Sequence, residues 1–129
     1  PLREFCAQKN AAISSEYDEV KAYSAWNVAQ SNPCFEIWLY YHFYENRPIQ
    51  EEVEKYASFK EYVHNSISGG FNFEKNPVRL EDAIMNTKNN FSLDKSISIL
   101  IFASEMYRLG AEIDGFVKTD ILKLKNKLG

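Results

Sequence analysis

Between Pro33 and Tyr44 the sequence offers a helix no polar face. Phe35, Ile37, Trp38, Leu39, Tyr40, Tyr41, Phe43 and Tyr44 fall on every side of a helix with ~3.6 residues per turn. A helix that is apolar all round has to be covered on several sides. The helix predicted over residues 33–45 is therefore the central element, and the rest of the chain must wrap it. A length of 129 residues is sufficient for one domain with one such core. The 15% aromatic content argues for a packed interior and against disorder.

The remaining elements follow from caps, breakers and periodicity. Residues 2–16 suit a helix with Leu2, Phe5, Cys6 and Ile13 on one side. Residues 22–30 alternate, with Ala22, Trp26 and Val28 apolar, and read as a strand. Asn32 is placed to cap the central helix and Pro33 to occupy its first position, while Asn46-Arg47-Pro48 ends it. A second helix starts near Pro48 with the stripe Ile49, Val53, Tyr56, Val63 and Ile67, breaks around Ala57-Ser58, and stops at Gly69-Gly70. Asn76-Pro77 opens a third, with Leu80, Ala83 and Ile84 inward and Asn89-Asn90 at its end. A fourth is expected over 94–109, with Ile97, Leu100, Ile101 and Met106 buried and Gly110 as its stop. A fifth, over 119–128, continues the stripe Val117, Ile121, Leu124 and Leu128 and presents Lys123, Lys125 and Lys127 elsewhere. The expected fold is a single, mainly α domain over 1–129 with one or a few short strands. A lone strand cannot satisfy its own backbone. Either residues 22–30 are not a strand, or its partners lie elsewhere.

A formal net charge of −3 excludes a global basic field that would gather nucleic acid, though not a local patch. Cys6 and Cys34 read as reduced thiols, and with His42 and His64 they form no zinc-binding spacing. The richest apolar run, Ile97 to Ala103, is too short to cross a bilayer, and the first residues lack the apolar segment of a secretory signal. A cytoplasmic location without membrane attachment is expected. The chain starts at Pro1 rather than Met, so upstream sequence is expected to be missing.

The run Ser31-Asn32-Pro33-Cys34-Phe35-Glu36-Ile37-Trp38-Leu39-Tyr40-Tyr41-His42-Phe43 resembles the signature of RloB-like proteins. There a strand enters a Ser-Asn helix start, followed by Phe-Glu-x-Trp and a His-Phe pair. Thr87-Lys88 and Ser104-Glu105-Met106-Tyr107-Arg108-Leu109 look like that family's terminal helices, so the resemblance spans roughly 20–113. It implies the C-terminal part of an α/β, TOPRIM-like protein associated with restriction loci and abortive phage defence. That protein would process nucleic acid with Mg or Mn and work beside an ATPase partner. The family's metal-binding acids, a Glu after one strand and Asp-x-Asp after another, have no strand-end counterpart here, since Asp18-Glu19 precedes the expected strand. The resemblance thus implies that the catalytic N-terminal half lies outside this chain.

Four polar residues in the apolar block are candidates. In open α/β sheets ligands gather where strands end and helices begin, which is where Ser31 and Asn32 fall, with Glu36 just inside the helix. Glu36 would be an accessory acid that assists a metal or orients a water. In the simpler alternative Asn32 only caps, and Glu36 only gains ~0.3–1 kcal/mol from the positive helix end. His42, six residues after Glu36, points ~120° away from it on a helix. It is a candidate binding residue or a hydrogen-bonded core histidine stacked on Trp38. The lysines from Lys118 to Lys127 would either touch phosphates or form a solvated face. As an alternative to an enzyme fragment, the chain would be a non-enzymatic helical domain docking on a partner through its aromatic surface.

Overall fold

The computed structural model describes residues 2–15, 27–95 and 98–129, with side chains from 13 to 15 left aside. Ala22, Trp26, the Asp18-Glu19 pair and Ile97 lie outside the described residues, as does the side chain of Ile13. Among the described residues the first helix, α1 (Leu2–Ser15), is followed by residues 27–30, which have no regular secondary structure. That segment enters a two-residue strand, β1 (Ser31–Asn32). Residues 27–30, the described part of the strand expected over 22–30, form no strand.

The central segment forms a regular α-helix only over α2 (Glu36–Tyr40). Helical hydrogen bonds extend it at both ends, from Ile37 N–H to the Cys34 carbonyl at 3.2 Å and from Tyr44 N–H to the Tyr40 carbonyl at 3.2 Å. Ile37, Trp38, Leu39, Tyr40 and Tyr41 are all buried, as a helix apolar all round requires. Asn32 does not cap it. Its backbone belongs to β1, its side-chain amide donates to the Ile99 carbonyl at 3.1 Å, and no side chain caps the helix start. The Asn32-Pro33 peptide is cis.

Short helices surround α2. The second expected helix is two pieces, α3 (Gln50–Val53) and α4 (Phe59–Ser66). The break has a local cause: extended Ser58 accepts from Glu61 N–H at 3.1 Å, and Glu61 returns a bond to Ala57 N–H at 3.1 Å. Gly69 and Gly70, both at φ 76°, end this stretch, and a Cβ on Gly70 would lie 2.7 Å from the His64 ring. Asn76–Arg79 then form a 3-10 turn leading into α5 (Leu80–Asn89). Ala83 of α5 is fully buried, and the Asn86 amide donates to the Tyr41 carbonyl at 2.9 Å.

The expected helix over 94–109 does not form. Leu93 and Ile99 make an antiparallel bridge, and a second strand, β2 (Ala103–Ser104), pairs antiparallel with β1, Ser31 opposite Ser104 and Asn32 opposite Ala103. The strand that does form, β1, thus finds its partner inside the chain, one residue beyond the stretch expected to be a strand. Phe102 sits at φ 61°, a left-handed conformation that interrupts any helix and costs of order 1–3 kcal/mol for a non-glycine residue. It is held there by its N–H to the Asn32 carbonyl at 2.7 Å, the Tyr41 hydroxyl on its carbonyl at 2.6 Å, and its ring stacked on Phe59. Leu100 and Ile101 are consequently exposed rather than buried.

One helix, α6 (Met106–Leu128), replaces the two expected at the end, and Gly110 lies inside it rather than at a stop. A Cβ there would meet the Trp38 ring at 3.0 Å and Ile84 at 3.1 Å, so a glycine lets α6 lie directly against α2 and α5. The start of α6 is tied to the sheet: the Ser104 hydroxyl accepts from Met106 N–H at 3.1 Å. Fully buried Glu105 is ion-paired with Arg3 of α1 and with Arg108, the latter at 3.3 Å. We expect Gly110→Val to destabilise the protein by ~1–3 kcal/mol in chemical denaturation, because the branched side chain overpacks a closed contact. Unchanged stability would mean that Trp38 does not rest on α6.

Candidate functional site

The four candidate residues leave the β1–α2 junction in different directions. Ser31 pairs its hydroxyl with that of fully buried Ser104 at 2.7 Å across the strands. Asn32 is engaged with Ile99 as above. Glu36 and His42 open into separate cavities on two sides of α2, as their angular separation required, with Leu39, Phe71 and Phe73 lining both.

Glu36 faces a cleft of about 460 Å³ between α2, α4 and the Phe71–Phe73 loop. Its side chain is 23% exposed and lies 3.7 Å from the Lys60 ammonium. Burial pushes the Glu36 pKa up, but hydrogen bonds from the Cys34 thiol and its own backbone, together with Lys60, outweigh that and hold it below the ordinary value. Glu36 is therefore a carboxylate at neutral pH, suited to accepting a proton or a hydrogen bond and not to donating one. The same contact affects Cys34: burial, then the hydrogen bond to Glu36, push its pKa to about 11, so this thiol is a poor nucleophile.

Lys60, Glu61 and His64 of α4 share the cleft with Glu36. Lys60 and His64 are four apart and so lie on one helix face. Sequence reasoning singled out His42 and passed over His64, because the pairing of α2 with α4 is a tertiary fact. The only local hint was the Lys60-x-x-x-His64 spacing. Glu61 is partly committed to its capping bond with Ala57. Among the described residues no three His, Cys, Asp or Glu side chains are grouped to hold a metal ion. The described residues therefore do not fit a metal by themselves.

His42 belongs to the interior. It is 4% exposed, its Nδ1 lies 2.9 Å from the Trp38 carbonyl, and its ring meets Trp38 edge-on at 5.0 Å rather than in a parallel stack. Phe71 makes a second edge contact at 4.8 Å. Around it is an apolar cavity of about 380 Å³, walled by Trp38, Leu80, Ile113, Val117 and Ile121, with Phe35 and Phe73 at the exposed rim.

A family model described as RloB-like protein matches residues 4–113, from the first turn of α1 to the middle of α6. The chain belongs to the RloB-like protein family. No curated protein and no solved structure matches it. In this RloB-like protein the signature run holds fully buried Ile37 and Tyr41 as well as the Glu36 carboxylate, and the match takes in α1, beyond residues 20–113. No helix among the described residues is long and apolar enough to cross a membrane.

His42 makes stability depend on pH. Burial lowers its pKa below the ordinary 6.5, opposed by the Trp38 carbonyl and reinforced by the nearby Arg79 charge. Between the folded and unfolded pKa values the unfolded chain binds more protons, so stability falls as pH drops below about 6.5, by at most ~1.4 kcal/mol per pH unit. Urea unfolding at pH 7.5 and 5.5 should show wild type losing more stability than His42→Gln. Equal losses would show that His42 is not held neutral.

Proposed function

We propose that this chain is the helical part of an RloB-like protein that acts in restriction or phage defence by processing nucleic acid in the cytoplasm. In this reading Glu36 is an accessory base, Lys60 meets a phosphate, and Ser31 and Asn32 hold the strand end that presents Glu36. The observation that supports it is the ionised Glu36 carboxylate at the mouth of a cleft, immediately after β1 and beside Lys60 and His64. A carboxylate can orient a water there, and an ammonium beside it can balance the charge of a phosphate. The Mg or Mn that the family resemblance implies would require acidic residues from elsewhere in the longer protein. A second reading, docking on an ATPase subunit, is supported by Phe35 and Phe73, 46% and 68% exposed at the rim of the apolar cavity.

The test is cleavage of DNA and RNA substrates with Mg²⁺ or Mn²⁺, by this chain and by the longer protein that carries it. The chain alone should be inactive. In the longer protein, Glu36→Gln should lower the rate at least ~100-fold with thermal stability preserved. Full activity in that variant would overturn the role of Glu36. Cleavage by the chain alone would overturn the view that the centre is completed elsewhere.

A further inference from the structure

The apolar cavity beside His42 plays no part in the Glu36 chemistry. Helix α2 walls it with Trp38 and His42, α5 with Leu80, and α6 with Val117 and Ile121, while Phe71 closes a further side. Its volume of about 380 Å³ falls within the ~300–1,000 Å³ usual for small-molecule sites. A cavity of ~150 Å³ takes one benzene ring, so this one has room for two fused rings.

One polar atom on its wall is unsatisfied. His42 Nδ1 lies 2.9 Å from the Trp38 carbonyl. A carbonyl only accepts, so Nδ1 carries the ring proton. Burial favours the neutral ring, which leaves Nε2 a bare acceptor. Nε2 has no hydrogen-bond partner among the described residues. Nor is it sealed in, since the fully enclosed side-chain atoms without a partner are Thr87 Oγ1 and Asp114 Oδ1. His42 is only 4% exposed, so the space that Nε2 reaches is the cavity and not bulk water.

An occupant of the cavity must therefore bring a donor, because a buried acceptor left unpaired is costly. The remaining wall restricts it further. Only Trp38 and His42 among the lining side chains carry a polar atom. A charged group, or a base with several polar edge groups, would be buried there without partners. We propose that this cavity binds a neutral, fused-ring aromatic small molecule with a single hydrogen-bond donor, an indole or a naphthol, whose N–H or O–H donates to His42 Nε2. Its rings lie among Trp38, Phe71 and Leu80, and it enters past Phe35 and Phe73 at the exposed rim. This binding is independent of the role given to Glu36.

Isothermal titration of the full-length protein with indole and with 1-methylindole tests this, because a methyl group replaces the donor hydrogen in the second. Indole should bind with a Kd of ~1 mM or tighter, and 1-methylindole at least ~fivefold more weakly. His42→Phe keeps an aromatic ring without the acceptor and should bind the two about equally. Val117→Phe, at a partly buried position on the α6 wall, fills the cavity and should weaken indole binding at least ~tenfold. The wild-type comparison stands whether or not either variant folds. No saturation by indole up to about 5 mM would overturn the proposal and leave the cavity to a side chain of another protein. Equal wild-type affinity for the two ligands, or indole binding unchanged by Val117→Phe, would overturn it as well.

Discussion

Ile37 to Tyr41 are withdrawn from water in succession, and between them they point to every side of the helix. Burying each is worth ~1.5–3 kcal/mol, but only if something lies on every side of the turn. That requirement organises the molecule. α4 covers one side through Val63 and the Tyr62 ring, α5 another through Ala83 and Asn86, and Phe102, just before β2, a third. α6 closes the remainder by giving Trp38 a glycine to rest on. α3, α4 and α5 are short, and their stability comes from this shared contact more than from their own propensity.

Polar groups drawn in with the core are satisfied there. The Tyr41 hydroxyl holds the Phe102 carbonyl, Asn86 holds the Tyr41 carbonyl, and Glu105 is met by two arginines from different helices. Apart from the local Glu105–Arg108 pair, each links elements distant in sequence and is formed only by the complete fold. Buried Thr87 Oγ1 is an exception, with no hydrogen-bond partner among the described residues. Glu36 differs in kind. It sits at the edge of the core, kept ionised by Cys34 and Lys60 despite the burial that opposes it. A charge maintained at the mouth of a cleft has more chemical use than one locked inside, which separates Glu36 from Glu105.

What could be read locally was read from local physics. The buried character of α2, the break at Ser58, the double-glycine stop and the Asn76-Pro77 opening each depend on neighbours within a few residues. Asn32 does not cap α2 and residues 27–30 form no strand, but the larger failures lie between residues 92 and 110. Leu100, Ile101 and Met106 have helical spacing, yet Phe102 adopts a left-handed conformation with no glycine to announce it. Gly110 resembles a stop but is a point of close approach to Trp38. At the candidate site the sequence marked Glu36, while the cleft, Lys60 and His64 emerged only when α4 was laid beside α2.

By itself, then, the sequence determined that one apolar turn lies at the centre, where most surrounding helices begin and end, and that the chain carries the RloB-like signature. Periodicity, caps and breakers act over a turn or two and are complete within a short window of chain. Tertiary structure decided which strand Ser31 and Asn32 join, why Phe102 accepts a strained backbone, and which side chains share a cleft with Glu36. Those outcomes depend on contacts between residues dozens of positions apart. Their energies exist only once the intervening chain has folded back.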